Sequence, residues 1–204
     1  MIVTAYWTEG TPYEQEAEAL RETLDHFGVR HDIRPYPHPG DWTKANLLSA
    51  QHIRTVREDW PNESILYLDA DARLLASPCE LEALENDTDA AFFFIPDGGS
   101  VSIPPHSEAL CSGTTWWNAR PAATAILDAW VALNRLPETR RGCDQLNLEA
   151  IVRWVETNPL VRIFRLPPRY CWIDDISPML YPHVQPEDMV VRHTQASRRY
   201  RHTV

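Results

Sequence analysis

The stretch SILYLDADARLLASP, residues 64–78, decides the fold that we expect for this chain. Its short apolar run ends in two carboxylates, Asp69 and Asp71, which stand one residue apart. An apolar run of this length is typical of a buried strand. In an extended segment, residues i and i+2 point the same way. We therefore expect both carboxylates to face one point at the carboxyl end of a strand.

Paired carboxylates in this position suit a hard divalent cation. Mg²⁺ and Mn²⁺ prefer oxygen ligands, and a cation held by two carboxylates keeps open positions for phosphate oxygens. The alternative is a turn at a strand end with two solvated acids, because an isolated DxD is a common pattern. The apolar run in front of Asp69 favours the cation site.

Strand and helix signals alternate on both sides of this segment. The pattern predicts strands at residues 2–7, 29–33, 89–95, 110–117 and 161–166, and helices at 13–27, 44–58, 121–133 and from 144 onwards. The segment Thr11 to Glu14 has the form of a capping box for the first helix, and Gly28 is placed to end it. The alternation predicts an α/β fold, with a mixed, mostly parallel sheet flanked by helices in a single domain. Such sheets bind ligands at the carboxyl ends of their strands.

Composition bounds the class of protein. The chain has 204 residues, 44% of them hydrophobic and 24% charged, which suits one soluble domain with its own core. Its net charge of −10 argues against a protein that coats nucleic acid, although the last thirteen residues carry four arginines and no acid. No apolar run approaches the roughly 20 residues that cross a bilayer, and the first residues lack a signal-peptide pattern. We expect a cytoplasmic protein without a membrane span.

Four cysteines occur without any CxxC pair, at positions 79, 111, 143 and 171. The spacing argues against a zinc knuckle or a thioredoxin-type site. We expect buried free thiols, and no disulfide in a chain without an export signal.

The segment around Asp69 resembles the DxD region of GT-A-fold glycosyltransferases that use nucleotide-diphosphate sugars, where hLYLDAD is a typical form. Further matches follow in the family's order: the first strand with its loop at residues 2–8, Trp42-Thr43-Lys44 before a helix, Cys111-Ser112-Gly113 to Asn118, Gly142-Cys143-Asp144-Gln145, and the late His193. The resemblance covers nearly the whole chain. Its specific parts are the DxD context and the Asp-Gln pair.

The resemblance implies a role for each matched position. It implies metal ligands at Asp69, Asp71 and His193; catalytic residues at Asp144 and Gln145; donor-binding residues at Tyr6, Thr8, Lys44, Ala70, Ser112, Gly113, Asn118 and Arg198; and, with the loop acids, an acceptor side at Trp116, Asp174 and Asp175. Several families follow the late histidine with Gly and Lys, whereas this chain has Thr194 and Gln195, so Arg198 is the candidate replacement for that lysine.

Several of these residues have a second interpretation. Lys44 is the only lysine of the chain and suits a phosphate or a sugar hydroxyl, but it also fits an exposed helix start. Asp144 can contact the donor sugar or merely cap its helix. Trp116 can stack on a sugar or a base, while Trp117 is expected in the core. His106, like the loop acids at 174 and 175, also fits an ordinary surface position.

These features and the family resemblance together predict a metal-dependent glycosyltransferase, with a UDP-sugar as the favoured donor. The late histidine and the Asp-Gln pair resemble retaining members more than inverting ones, and the sequence leaves the choice between the two open. We expect residues 1–118 to bind the donor mainly and residues 119–204 to form the acceptor side. A saccharide or glycoconjugate is the first acceptor to consider, and a hydroxymethylated DNA base, as used by viral enzymes, is the second. A haloacid-dehalogenase-like phosphatase and a non-catalytic nucleotide-sugar-binding module are the rival classes. The phosphatase motif usually continues with Gly-Thr and lies near the N-terminus, unlike Ala72-Arg73 here.

Overall fold

A six-stranded sheet forms the centre of the molecule; the computed structural model describes residues 1–96, 108–136 and 144–200. Its strands are β1 (Ile2–Thr8), β2 (His31–Tyr36), β3 (Ile65–Leu68), β5 (Ala90–Pro96), β6 (Glu108–Trp117) and β7 (Ile163–Arg165), in the order β2-β1-β3-β6-β5-β7. Both neighbours of β6 pair with it in antiparallel fashion, and every other pair in this sheet is parallel. The predicted mixed, mostly parallel sheet is confirmed.

Helices cover both faces of this sheet. They are α1 (Tyr13–His26), α2 (Trp42–Asn46), α3 (Leu48–Asp59), α4 (Pro121–Arg135), α5 (Asp144–Val155), α6 (Ser177–Leu180) and α7 (Ala196–Tyr200), and short 3₁₀ turns occur at Cys79–Asn86, Pro168–Tyr170 and Pro186–Asp188. In the described part of the chain no helix has the length and apolarity that a bilayer crossing requires. The helices on both faces of one sheet form the single α/β domain that the alternating strand and helix signals predict.

The side chains of β3 point alternately to the two faces of the sheet, and each face has its own hydrophobic cluster. Leu66 and Leu68 pack on one face with Leu20 of α1. Ile65 and Tyr67 pack on the other face with side chains from α3, α4 and α5. Because successive residues of a strand point to opposite faces, one short apolar run serves both layers. Burial of the run on both faces thus fixes where β3 ends and where Asp69 follows it.

A second, smaller sheet stands beside the carboxyl end of β3. Its strands are β4 (Ala72–Leu74), β8 (Trp172–Ile173) and β9 (Val191–His193), in the order β4-β9-β8. Strand β9 runs antiparallel to β4, and the register pairs Ala72 with His193. The sheet therefore brings the end of the chain back to the DxD segment, although 121 residues separate Ala72 from His193. Strands of two or three residues carry too little periodicity to be predicted from sequence.

The local predictions differ from the structure in three places. The helix expected at 44–58 is two helices, α2 and α3, which meet at Leu47. The capping box is wrong: Pro12 is the N-cap of α1, and the Thr11 hydroxyl donates instead to the carbonyl of Thr8. The second strand begins at His31 rather than at residue 29, because Gly28 takes a positive φ of 63° and turns the chain first.

Candidate active site

A tight turn carries the chain from the large sheet to the small one and presents the two DxD carboxylates. The Asp69 N–H donates to the carbonyl of Gly113 at 2.9 Å, which continues the β3–β6 ladder by one residue. The Ala72 N–H then donates to the Asp69 carbonyl at 2.9 Å and closes the turn. Asp69 is partly accessible from the cleft, whereas Asp71 is only 7% exposed.

Asp69, Asp71 and His193 form one cluster at this turn. Each offers a ligand atom, and these atoms all lie within 4.8 Å of one another. In each carboxylate one oxygen is held by the protein: the Tyr67 hydroxyl donates to Asp69 Oδ1 at 2.9 Å, and the Ala196 N–H donates to Asp71 Oδ2 at 2.8 Å. The second oxygen of each carboxylate faces the cluster, so the pair is oriented before any ligand arrives.

His193 is 3% exposed and is contacted through both ring nitrogens. Its Nε2 lies 2.8 Å from the Thr114 hydroxyl, and its Nδ1 lies 3.4 Å from Asp71 Oδ1. Burial acts to lower the pKa of His193, but hydrogen bonding and attraction to Asp71 outweigh burial and raise it above the usual value. Burial likewise acts to raise the pKa of Asp71, and His193 reverses that effect and lowers it. Burial and repulsion from Asp71 raise the pKa of Asp69.

An irregularity in β6 opens space next to these carboxylates. The β5–β6 register passes from Phe92–Thr115 directly to Phe93–Cys111, so the intervening residues of β6 leave the ladder. Bulges of this kind often redirect a strand beside an active site. A Cβ at Gly113 would lie 2.8 Å from Asp69 Oδ2 and 3.3 Å from His193 Cε1. A side chain here would displace the Asp69 carboxylate and crowd the His193 ring, whereas glycine leaves both in place.

The cluster opens into a cleft of about 270 Å³ at the carboxyl ends of β1 and β3. Nine residues implied by the family resemblance line it: Tyr6, Thr8, Asp69, Ala70, Asp71, Ser112, Gly113, Asp144 and Gln145. The sequence motifs thus converge from β1, β3, β6 and α5 onto one cavity, at the place where open α/β sheets bind ligands.

Asp144 begins α5 and points its carboxylate into this region. It is 8% exposed, and the Ser49 hydroxyl donates to its Oδ2 at 2.9 Å. Burial raises the pKa of Asp144 to about 7, and the negative charge of Asp69 contributes in the same direction. A carboxylate with this pKa can bind or release a proton near neutral pH, which is a property of functional acids and bases.

Tyr6 forms the wall of the cleft on the β1 side. Its hydroxyl donates to the Ala45 carbonyl at 2.9 Å and so connects β1 with α2. Its ring stacks against Tyr67 with the centroids 6.2 Å apart. Burial raises the pKa of Tyr6 well above the usual value, with further contributions from Asp144 and Asp69, so the hydroxyl stays protonated.

Two of the implied roles are wrong. Trp116 is completely buried in the core among residues such as Val3 and Leu66, so it is not available to stack on an acceptor. Asn118 follows β6 at the end of the sheet remote from the cleft, where its side-chain amide donates to the carbonyls of Glu85 and Thr88. Because β6 runs antiparallel to β3, its carboxyl end lies at the amino end of β3. Trp117 is buried in the core as expected.

Four other implied residues lie outside the cleft lining in ion pairs. Lys44 pairs with Asp41 at 2.9 Å, Arg198 pairs with Asp175, and Arg192 holds Asp174 at 2.7 Å. Lys44 and Arg198 nevertheless each stand one residue from a lining residue, Ala45 and Ser197 respectively. His106, Gly142 and Cys143 lie outside the described residues.

Several lining residues were not anticipated from sequence: Trp7, Tyr13, Trp42, Ala45, Asn46, Tyr67, Cys111, Gln195 and Ser197. Tyr13 is the first residue of α1, and this position brings its side chain to the cleft. Gln195 takes a positive φ of 57°, a conformation uncommon outside glycine that marks functional or strained positions.

Among the described cysteines, Cys79 is exposed rather than buried, and Cys111 and Cys171 are free thiols.

No protein-family description and no curated protein matches this sequence. Among solved structures, the fold is similar to the crystal structure of a glycosyltransferase involved in the glycosylation of the major capsid of PBCV-1. The similarity has a TM-score of 0.65 and 16% sequence identity, and it covers 98% of this chain and 95% of that chain. The chain therefore has a mixed α/β fold similar to that of a glycosyltransferase over nearly its whole length.

Proposed function

We propose that this protein is a metal-dependent glycosyltransferase, which moves a sugar from a nucleotide-diphosphate sugar to an acceptor hydroxyl. A UDP-sugar is the favoured donor, and a saccharide or glycoconjugate is the favoured acceptor. The observation that carries the proposal is the Asp69–Asp71–His193 cluster, which opens on a cleft at the carboxyl ends of parallel strands. The fold shared with a solved glycosyltransferase supports the same reaction class.

The residues of the cluster fit a divalent cation such as Mn²⁺ or Mg²⁺. Two carboxylates and an imidazole are suitable donors for Mn²⁺ in particular. Adjacent ligands of an octahedral ion at about 2.1 Å are separated by about 3 Å, and the 3.4 Å between His193 Nδ1 and Asp71 Oδ1 is close to this value. If His193 carries its proton on Nε2 and donates it to Thr114, Nδ1 presents a lone pair to the cation. Bound there, the cation would supply positive charge for the donor diphosphate.

The order of groups along the cleft supports one orientation of the donor. Tyr6 and Thr8, at the end of β1, provide an aromatic face and a hydroxyl suited to a nucleoside. The diphosphate belongs beside Asp69 and Asp71, and the sugar beside Ser112 and Gly113 in the same cleft wall. Lys44 and Arg198 stand close enough in sequence to lining residues to approach a phosphate after a local rearrangement.

Asp144 and Gln145 are the proposed catalytic residues. Both line the cleft, and both lie at the start of α5. During transfer, the bond from the anomeric carbon to the diphosphate oxygen breaks, and a bond to the acceptor oxygen forms. Asp144 is placed to stabilise the positive charge that develops on the sugar, and Gln145 can hydrogen-bond its hydroxyls. The late histidine and the Asp-Gln pair favour retention of configuration, which NMR of the first-formed product would decide.

The second half of the chain is proposed to form the acceptor side, with Asp174 and Asp175 near its rim. Both are exposed acids held by arginines, a surface suited to the hydroxyl groups of a saccharide. The carboxylates of Asp69, Asp71 and Asp144 in the cleft would repel the phosphates of a DNA acceptor. The net charge of −10 acts in the same direction.

The first experiment measures the release of nucleotide diphosphate from UDP-, GDP-, ADP- and CDP-sugars, with Mn²⁺ or with a chelator. We expect slow release from one donor, stimulated by Mn²⁺ and abolished by the chelator. The Asp71→Asn variant should keep its fold by circular dichroism and lose the metal-dependent release. Wild-type turnover in Asp71→Asn would contradict the metal assignment. Absence of both release and donor binding by calorimetry would contradict the proposed function.

A further inference from the structure

Two thiols meet in the wall of the cleft. The Cys171 thiol donates a hydrogen bond to Cys111, with the sulfur atoms 3.6 Å apart. Both are free, and 60 residues of sequence separate them. Cys79, the third cysteine in the described part of the chain, lies in an exposed 3₁₀ turn. Only the first two therefore form a pair, and the metal cluster does not include them.

The pair connects the two sheets directly behind the metal cluster. Cys111 lies in β6 two residues before Gly113, whose Cα faces Asp69. Cys171 lies two residues before Ile173, which pairs with His193 in the β8–β9 ladder. Cys111 thus lies in the strand that contacts Asp69, and Cys171 directly precedes the strand that pairs with His193.

Access to the two thiols is unequal. Cys111 lines the cleft and is partly exposed, whereas Cys171 is completely buried. A small oxidant that enters the cleft consequently meets Cys111 first and reaches Cys171 only through it. This arrangement of an accessible thiol beside a buried partner is the one required for a peroxide-reactive cysteine and its resolving cysteine.

We propose that Cys111 and Cys171 are a redox-reactive pair, which hydrogen peroxide converts into a disulfide. In the first step the Cys111 sulfur attacks one peroxide oxygen, and Cys111 becomes a sulfenic acid with loss of one water. In the second step the Cys171 sulfur attacks the sulfur of that sulfenic acid, and a second water leaves as the disulfide forms. The two thiols lose two protons and two electrons, which reduce one peroxide to two waters. The hydrogen bond from Cys171 lowers the pKa of Cys111, and burial raises that of Cys171, which matches the order of attack.

Formation of the disulfide would disturb the cluster. A disulfide requires a sulfur–sulfur distance of about 2.05 Å, so the two sulfurs must approach each other from 3.6 Å. A shift of β6 would be passed on to Asp69, because the Asp69 N–H donates to the Gly113 carbonyl at 2.9 Å. We expect the oxidised protein to bind Mn²⁺ about 10-fold more weakly, as is usual when the groups supporting a metal ligand are displaced. This consequence rests on the proposed metal site, whereas the cross-link itself does not.

The test treats reduced full-length protein with hydrogen peroxide, blocks the remaining thiols with N-ethylmaleimide, and maps the peptides by mass spectrometry. Wild-type protein and the matched control Cys79→Ser should both yield the 111–171 cross-linked peptides, two hydrogens lighter than the reduced pair. Cys171→Ser should stop at the sulfenic acid on Cys111, which dimedone traps. The proposal is overturned if Cys111 and Cys171 are both recovered as maleimide adducts while Cys79 is oxidised. A cross-link from Cys111 to Cys143, which lies outside the described residues, would overturn it as well.

A second measurement separates the cross-link from its effect on the cleft. Mn²⁺ binding is followed by calorimetry for the reduced protein, the oxidised protein, and the oxidised protein after treatment with dithiothreitol. We expect the loss of affinity on oxidation to be reversed by the reductant, and to be absent in Cys111→Ser. A cross-linked protein that binds Mn²⁺ as tightly as the reduced protein would refute the coupling between the thiol pair and the metal cluster.

Discussion

The Thr114 hydroxyl lies 2.8 Å from His193 Nε2, and both groups are buried at the contact between the two sheets. Thr114 belongs to β6 of the large sheet, and His193 belongs to β9 of the small one. The contact fixes the orientation of the imidazole, so that Nδ1 is directed at Asp71. A residue that touches no ligand thus determines which nitrogen is available for a cation.

Replacing Thr114 with valine keeps the shape of the side chain and removes this hydrogen bond. We expect Thr114→Val to weaken Mn²⁺ binding by about 10- to 100-fold, because the imidazole loses its fixed tautomer and orientation. Thr114→Ser retains the hydroxyl and should restore most of the affinity. Calorimetric titration with Mn²⁺ measures both. Equal affinities for the valine variant and the wild type would mean that His193 is not a ligand.

Gly113→Ala tests the space that β6 leaves for the cluster. The new Cβ would lie 2.8 Å from Asp69 Oδ2 and 3.3 Å from His193 Cε1, so one of these groups must move. We expect a loss of Mn²⁺ affinity of at least about 10-fold, since a displaced ligand side chain weakens a metal site. Ser112→Ala, one residue away in the same cleft wall, is the matched control and should bind Mn²⁺ normally. Comparable losses in both variants would point to a general disturbance of β6.

The central sheet and the meeting of Asp69 with Asp71 were predictable from the sequence for identifiable reasons. The run before Asp69 is apolar because it is buried on both faces, and that burial is visible as a pattern. The same run fixes where the carboxylates emerge, so the DxD prediction followed from it. His193, in contrast, was implied by the family resemblance, because nothing in its local sequence indicates that β9 pairs with β4.

The mistaken site residues share one cause. Trp116 was assigned a role because an aromatic face suits a sugar or a base, and Asn118 because it matches a pattern of the resembling family. Strand β6 carries both away from the cleft, because it runs antiparallel to β3. At about 3.3 Å per residue, the five steps from Gly113 to Asn118 cover about 17 Å, which is about half the length of the ten-residue β6. Trp42 and Gln195 line the cleft because of the way α2 and α7 pack against the rest of the molecule. The pattern of neighbouring residues in the sequence does not show this packing.

Glu16 anchors the C-terminal helix, and its removal should loosen the segment that follows His193. Its buried carboxylate accepts from Arg73 at 2.5 Å and from Arg199 at 2.9 Å. We expect Glu16→Ala to lower the free energy of unfolding by about 2 kcal/mol, a value reduced from the fully buried case because Arg199 is half exposed. Urea denaturation measures this change. Glu18→Ala, on the exposed side of α1, is the control and should change stability little. An unaffected Glu16→Ala protein would show that α7 is held by other contacts.

Asp144→Asn should stabilise the protein in a pH-dependent way. Burial raises the folded pKa of Asp144 to about 7, whereas an unfolded aspartate has a pKa of about 3.9. Between these two values the folded state binds more protons than the unfolded state, so the free energy of unfolding falls as pH rises through this window. Asparagine carries no charge and can still accept the hydrogen bond from Ser49. We expect Asp144→Asn to be more stable than the wild type by about 1–3 kcal/mol at pH 8, measured in chelator, with most of this advantage gone at pH 4.

The same variant tests the functional role of Asp144. If its carboxylate stabilises the transition state, Asp144→Asn should lose transfer activity by at least about 100-fold while it gains stability at pH 8. This combination is the one expected where a buried charge is retained for function at a cost in stability. Ser49→Ala provides an independent check, because removal of the hydroxyl that donates to Asp144 should raise the carboxyl pKa further. An Asp144→Asn enzyme with full activity would leave the carboxylate without a catalytic role.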